Sequence, residues 1–396
     1  MSSQASEFVI IGGGIYGSSL AFQLAKAGKS VLLLEGSEIA SGASGGPGER
    51  GVRANRRDTR ELPVAALALA LWKKYQAEFD KGVGYRRIGG LQVFDVPYGY
   101  REHEVRGQME AMALAQNRLG APSELLDLAQ TLAREPELTR SLIGSIYCPD
   151  DGVCDHTYAT QQFAAEAERA GATIRTGARV VEILAEGGRA TGVKLESGEV
   201  IAVGSHLVLT ANAGTQALLT PYLKEEEKAP LWHLMPQMIY VTNPLNKKIN
   251  HLLSHAHRRL AVKQVVDGSL MLSGGASVSY TAEGLWKGSL SSTANNLNDA
   301  ISAFPFIDNS SFVKADASRV ETVCVDGIPV VDKPQNLTNT LYGYGWSGHG
   351  FAISLGITKY MCDWLTQGER PDALAPFTSA RFYQPASVIA PALNGL

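Results

Sequence analysis

Gly12, Gly14 and Gly17 stand in the pattern G-x-G-x-x-G behind the apolar run 7–12, and Glu35 closes the next apolar run, 30–34. In a strand–loop–helix unit each position has its own task. Gly12 permits the tight turn, Gly14 lets a pyrophosphate approach the backbone, and Gly17 lets the helix pack tightly on the sheet. The helix, begun at Ile15, presents free N–H groups and a positive dipole end to the phosphates. Glu35, about 20 residues beyond the loop, is placed to accept hydrogen bonds from a ribose diol. Strand, glycine loop, helix, strand and acid in this order predict a dinucleotide site. The motif by itself does not separate NAD from FAD.

Two further stretches lean toward FAD. Residues 41–53 are irregular and rich in small residues, with Ser44, Arg50 and Arg53 among them. They suit a long dinucleotide that crosses the sheet end, or else form a plain surface loop. Near the other end of the chain a second glycine loop, 343–351, opens onto a helix over 352–365 and contains Gly348, His349, Gly350 and Phe351. A helix N-terminus there could stabilise the negative charge of a reduced flavin; a buried structural turn is the alternative. The apolar strand 207–210 also closes on small residues, ending at Gly214, and suits a nucleotide edge. His251, His255 and His257 invite a metal reading, but without a carboxylate or cysteine nearby in sequence they read as a solvated loop, and no metal site is expected. The four cysteines form no CxxC pair and read as reduced, buried thiols.

These groups need a large folded frame, and the composition provides one. The chain has 396 residues, 45% of them hydrophobic, enough for two to three domains. With 36 basic against 39 acidic residues it lacks the basic surface of a nucleic-acid binder. The longest apolar run, 64–72, is under half of the roughly 20 residues a membrane span needs. The N-terminus lacks the basic and apolar regions of a signal peptide, so cytoplasmic residence is the expectation. Periodicity predicts helices over 15–27, 63–79, 101–117, 123–133 (capped by Ser123), 157–170 and 215–219. Short strands are expected over 172–210, and a separate β-rich layer over 220–316 with strands at 237–242, 261–266 and 270–272. The run 225–228 reads as a solvated connection.

Together these residues resemble the D-amino-acid oxidase superfamily of FAD enzymes, in its sarcosine and glycine oxidase branch. The motifs that carry the resemblance are Gly12-x-Gly14-x-x-Gly17 with Glu35, Gly152-Val153 and the helix after it, residues 176–181, residues 319–326, and Gly345-Trp346-Ser347-Gly348-His349-Gly350-Phe351. It implies an α/β fold with an α+β second domain. A Rossmann-like FAD-binding domain around a central parallel sheet would comprise 1–87, 150–215 and 318–396. An antiparallel-sheet substrate domain would comprise 88–149 and 216–317. It further implies that Gly12, Gly14, Ile15 and Gly17 meet the pyrophosphate and Glu35 the adenosine ribose. Ser44 and Arg50 would lie along the cofactor, Val180 would reach the adenine through its backbone, and Gly348, His349, Gly350 and Phe351 would meet the flavin pyrimidine edge.

The departures from the pattern carry information too. Arg319 stands where sarcosine oxidases have the cysteine that links the flavin, which implies non-covalent FAD. Ala352 replaces a carboxylate-binding lysine, and Glu321 falls near a carboxylate-clamping arginine. Leu260, Met271 and Gly275 replace pocket Tyr, Lys and His, the Lys being associated with oxygen activation. Arg53 alone matches a family carboxylate-binding arginine and is the candidate substrate clamp; a structural ion pair or flavin contact is its alternative. His349 is a candidate base or, through its backbone, a cofactor contact. Trp346, Tyr240 and His233 are candidate pocket walls. The expected reaction is oxidation of the C–N bond of an amino acid or secondary amine, with hydride transfer to flavin N5 and an imine as product. The electron acceptor, oxygen or another, is open. The alternatives are a flavoprotein dehydrogenase subunit that needs a partner chain, and an NAD-dependent dehydrogenase. Glu321 and Ala352, in place of cations, point to a substrate larger or less anionic than a glycine derivative.

Overall fold

Strand Phe8–Ile11 is buried at every residue because it lies in the middle of a sheet. It pairs in parallel with His206–Leu209 on one side and Val31–Leu34 on the other. The computed structural model describes residues 5–44, 46–274, 277–280 and 286–383 (277–280 and 286–288 by backbone alone). The sheet has six strands in the order Val330–Asp332, Thr340–Tyr344, His206–Leu209, Phe8–Ile11, Val31–Leu34, Thr173–Arg175. All its neighbours are parallel except the first pair, an antiparallel hairpin.

Alternation along the central strand sorts its side chains onto two faces. Phe8 and Ile10 join a core with Leu20, Leu24, Trp72, Phe163 and Ile353, contributed by helices Ile15–Lys26, Leu62–Glu78, His156–Arg169 and Gly350–Gln367. Val9 and Ile11 join a second core with Ile183 and Val193, from a three-stranded antiparallel sheet of Val180–Glu186, Arg189–Leu195 and Val200–Ala202. A sheet covered on both faces explains why its strands read as continuous apolar runs.

An eight-stranded sheet forms the other large layer. Its order is Phe312–Asp316, Met238–Val241, Leu270–Ser273, Ala261–Gln264, Leu252–His255, Gly90–Phe94, Gly144–Cys148, Glu124–Asp127. Every neighbouring pair is antiparallel save Leu252–His255 with Gly90–Phe94, which is parallel. Glu49–Val52, Gly152–Asp155 and Tyr85–Arg86 make a small separate sheet, which places the segment carrying Arg50 between the two large layers.

Several expectations need correction. The helix predicted over 123–133 is strand Glu124–Asp127 followed by helix Leu128–Arg134. Asp127, not Ser123, is the cap, in a reciprocal box with Gln130. Helix Leu290–Ala303 was not anticipated within 220–316. The run 225–228 is not simply solvated, because Glu227 is buried and accepts the amides of Lys224 and Gln335. The histidine cluster is not a solvated loop. His255 is fully buried on its strand, and carboxylates do stand beside the rings: Asp95 faces His255 and His257, and Glu135 faces His251. Among the described residues no group of His, Cys, Asp or Glu could hold a metal ion. Among them, too, no helix is long and apolar enough to cross a membrane.

Candidate dinucleotide and substrate site

A cavity of about 980 Å³ opens at the carboxyl ends of the central parallel strands, at the upper end of ligand-site volumes. Gly12, Gly14, Ile15, Glu35, Ser44, Arg50, Val180, Gly214, Gly348, Gly350 and Phe351 all line it. Gly17, Arg53 and His349 do not. At Gly17 an added Cβ would lie 1.9 Å from the Gly12 carbonyl oxygen, so its absence lets the helix sit against the loop. At Gly14 and Gly348 an added Cβ would meet nothing within 4 Å; there the backbone is bared to the cavity.

Glu35 is held in place by the chain itself. Its two oxygens accept the amides of Gly13 at 2.7 Å and Ser37 at 2.8 Å. At the other end of the cavity Trp346 stacks on Tyr16, centroids 3.6 Å apart, and the Tyr16 hydroxyl donates to the Gly350 carbonyl at 2.6 Å. Burial keeps that phenol protonated well above its ordinary range. The first and last helices are thus locked together where the two glycine loops meet.

Arg50 organises the loop before it, donating to the carbonyls of Ser44 and Gly46. His156 Nε2 meets the same Gly46 carbonyl at 2.8 Å, and burial pushes this imidazole down to about 4, so it stays neutral. Glu321 lines the cavity as a buried carboxyl. Ser44 and Asn212 donate to its two oxygens at 2.9 and 3.0 Å, yet burial outweighs them and raises its pKa.

His349 has both ring nitrogens committed away from the cavity. Nε2 meets the Glu61 carboxylate at 2.9 Å and Nδ1 the Ser347 carbonyl at 3.0 Å. Burial opposes the Glu61 charge, but His349 and Arg57 prevail and hold its pKa below the usual value. Arg57 also donates to the His349 carbonyl. The imidazole therefore clasps the second glycine loop to helix Leu62–Glu78 through Glu61.

Arg53 follows the strand that carries Arg50. The carboxylate of Asp151 shapes this turn by accepting the amides of Ala54 and Asn55 at 2.6 and 3.3 Å. Burial pushes Asp151 up to about 6. One nitrogen of the Arg53 guanidinium is buried with no hydrogen bond. Lys263, which sequence reasoning missed, is 3% exposed on strand Ala261–Gln264. Burial first, then the charges of Arg50 and Arg53, push its ammonium down to about 7. Lys263 lies directly across the ladder from Met271, so a lysine stands one strand away from the position where the family pattern has lost one. Leu260 and Met271 are fully buried; Gly275 lies outside the described residues. Tyr240 sits against Gly48 beside the cavity, and His233 is exposed and paired with Thr322.

The family "FAD dependent oxidoreductase" matches residues 7–364. The chain belongs to the FAD-dependent oxidoreductase family. The match decides between the two dinucleotides that the glycine motif left open. Relatives in the family include human mitochondrial dimethylglycine dehydrogenase, 24% identical over 95% of this chain but only 44% of that protein. A subunit of opine oxidase from Agrobacterium tumefaciens (strain Ach5) is 24% identical over 96% of this chain and 99% of its own length. The fold matches the crystal structure of L-proline dehydrogenase from P. horikoshii with a TM-score of 0.85, at 24% identity, over 96% of this chain and 98% of that one. The residues here fit FAD: the bared glycine backbones, the anchored Glu35 and the orphaned buried Asn212 Oδ1 all belong to one cavity or its wall. When bound, FAD would supply the electron-accepting group of an oxidoreductase.

Proposed function

We propose that this chain oxidises the C–N bond of an amino acid or secondary amine, giving an imine that water hydrolyses. The observation that carries this reading is a pair of cations behind Arg50 of the cavity wall: Arg53, with one guanidinium nitrogen buried and unbonded, and Lys263, 3% exposed. Arg53 would clamp the substrate carboxylate through its fork of donors. The amine must be neutral to release hydride from its α-carbon to flavin N5. Lys263 Nζ can take up or release a proton near neutral pH, close to where that amine would be held. Glu321 and the Tyr16–Trp346 stack would wall the cavity, and the Glu61–His349 clasp would position the second glycine loop.

The flavin is proposed to be non-covalent, since no cysteine lines the cavity and Arg319 instead donates to the Ser41 carbonyl at 2.8 Å. The domain division implied by the resemblance belongs to the same proposal. The likeness to one subunit of opine oxidase favours a second reading, in which a partner chain completes the electron path. The test is the visible spectrum of the purified protein under anaerobic conditions, titrated with N-methyl amino acids, D-amino acids and cyclic secondary amines. Bleaching of flavin bands by one class supports the reading; bands that no amine bleaches, with or without a co-purifying chain, contradict it. Reoxidation by air then separates oxidase from dehydrogenase.

A further inference from the structure

Glu321 opens strand Glu321–Cys324, is 3% exposed, and lines the cavity. Its hydrogen-bond partners among the described residues are all neutral. They are the Ser44 hydroxyl, the Asn212 side-chain amide and the Thr322 backbone N–H, the last at 2.9 Å. Asn212 makes its contact from a backbone φ of 50°, a left-handed conformation that non-glycine residues rarely adopt. These donors hold the carboxyl in place and leave any charge on it without a counterion.

The strand is stitched to the second glycine loop. The Ser347 amide donates to the Thr322 carbonyl at 3.0 Å, and the Ser347 hydroxyl accepts the Cys324 amide at 3.2 Å. Val323 forms a β-bridge with Trp346. Glu321 therefore stands at the Trp346 end of the cavity, where the segments 41–53, 211–214 and 343–351 meet. The titratable and charged groups around it are committed elsewhere. The Tyr16 phenol is kept protonated and donates to Gly350, and His349 is held by Glu61. Arg319 donates to the carbonyls of Ser41 and Ser318, and His233, across the ladder, meets Thr322. None forms an ion pair with Glu321 among the described residues.

Glu35 and the first glycine loop suit the nucleotide half of FAD, which leaves the Trp346 end to the ring. We propose that Glu321 meets the flavin ring and tunes its readiness to take electrons: as a carboxylate it opposes the negative charge of the reduced ring, and as a neutral carboxyl it does not. Reduction gives the ring two electrons and one proton. Where Glu321 is ionised at rest, it takes a further proton from solvent, so that two protons accompany two electrons. Burial raises its pKa, so the neutral form extends to higher pH than for a free carboxyl. The proposal rests on FAD in the cavity and not on which substrate is oxidised.

The test uses the FAD-loaded protein and sulfite, which adds to oxidised flavin through its sulfur lone pair, bleaches it and leaves negative charge on the ring. E321Q accepts and donates at the same positions without the charge; E321D keeps the charge. Each variant is saturated with added FAD before titration. At pH 9 E321Q should bind sulfite at least about tenfold more tightly than the wild type, and at pH 5 the two should converge. E321D should follow the wild type at both. Equal affinities of wild type and E321Q at pH 9, a gap undiminished at pH 5, or E321D behaving as E321Q would overturn the proposal. The amine reading fails separately: amines that bleach nothing, while the sulfite differences hold, refute that reading and leave this one standing.

Discussion

Single side chains divide into those legible from the chain and those visible only once it folds. Arg53 is named from the resemblance alone, and its buried, unbonded guanidinium nitrogen lies off the cavity wall. Lys263 was not legible, because a lone lysine in an apolar strand has no local signature, and the charges that act on it, Arg50, Glu49 and Arg53, stand more than 200 positions away. The expectation of a larger or less anionic substrate rests on Glu321 and Ala352, and Glu321 does line the cavity. Two predictions belong at this scale. Lys263 holds its proton less tightly folded, at about 7, than unfolded, near 10.5. Between those values the unfolded chain binds the extra proton, so this group makes stability rise with pH. K263M should therefore melt about 3 °C or more higher than wild type at pH 6, and the gap should close by pH 10. A lower melting temperature at pH 6 would show that the ammonium is not strained. Glu61 has the opposite sign. Its lowered pKa stabilises the fold above the unfolded value of 4.5, and that contribution is lost as pH falls through the folded value. E61Q strands Arg57 and should cost about 1–3 kcal/mol in urea unfolding at pH 7, with a smaller loss at pH 3.

At the scale of elements, the parallel strands and the helices that flank the glycine loops could be read directly, since burial on both faces leaves plain apolar runs. Elements fixed by polar detail were harder. The Asp127–Gln130 box was present in the sequence as D-x-x-Q, but Ser123 drew the cap because its hydroxyl binding to Gln116 is tertiary. Helix Leu290–Ala303 is rich in Ser and Asn; its signal was Ser289, whose side chain caps the Ser292 amide. Close packing of elements yields a third prediction. Gly356 brings helix Gly350–Gln367 against helix Leu62–Glu78, and an added Cβ would lie 2.4 Å from the Val64 carbonyl oxygen. G356A should destabilise by about 1–3 kcal/mol, shown by a lower urea midpoint at unchanged slope. G17A, which meets the Gly12 carbonyl still more closely, should in addition purify with little flavin. A yellow, fully stable G17A protein would contradict the part assigned to that helix.

The whole molecule is built on two large sheets, with a cofactor cavity at the carboxyl ends of the central parallel strands. Filling the cavity should stabilise all of it. Added FAD should raise the melting temperature of the stripped protein progressively, as ligand binding to the native state alone requires, and acid precipitation should leave the flavin in the supernatant. Flavin that stays with the pellet would contradict non-covalent binding. The most direct measurement of the central claim is a single anaerobic turnover of the FAD-loaded enzyme with a secondary amino acid such as N-methylglycine, followed by quantification of products. The account predicts bleached flavin bands with one primary amine and one carbonyl product released per flavin. Bands that persist, or bleaching by the matching hydroxy acid with no amine released, would contradict it.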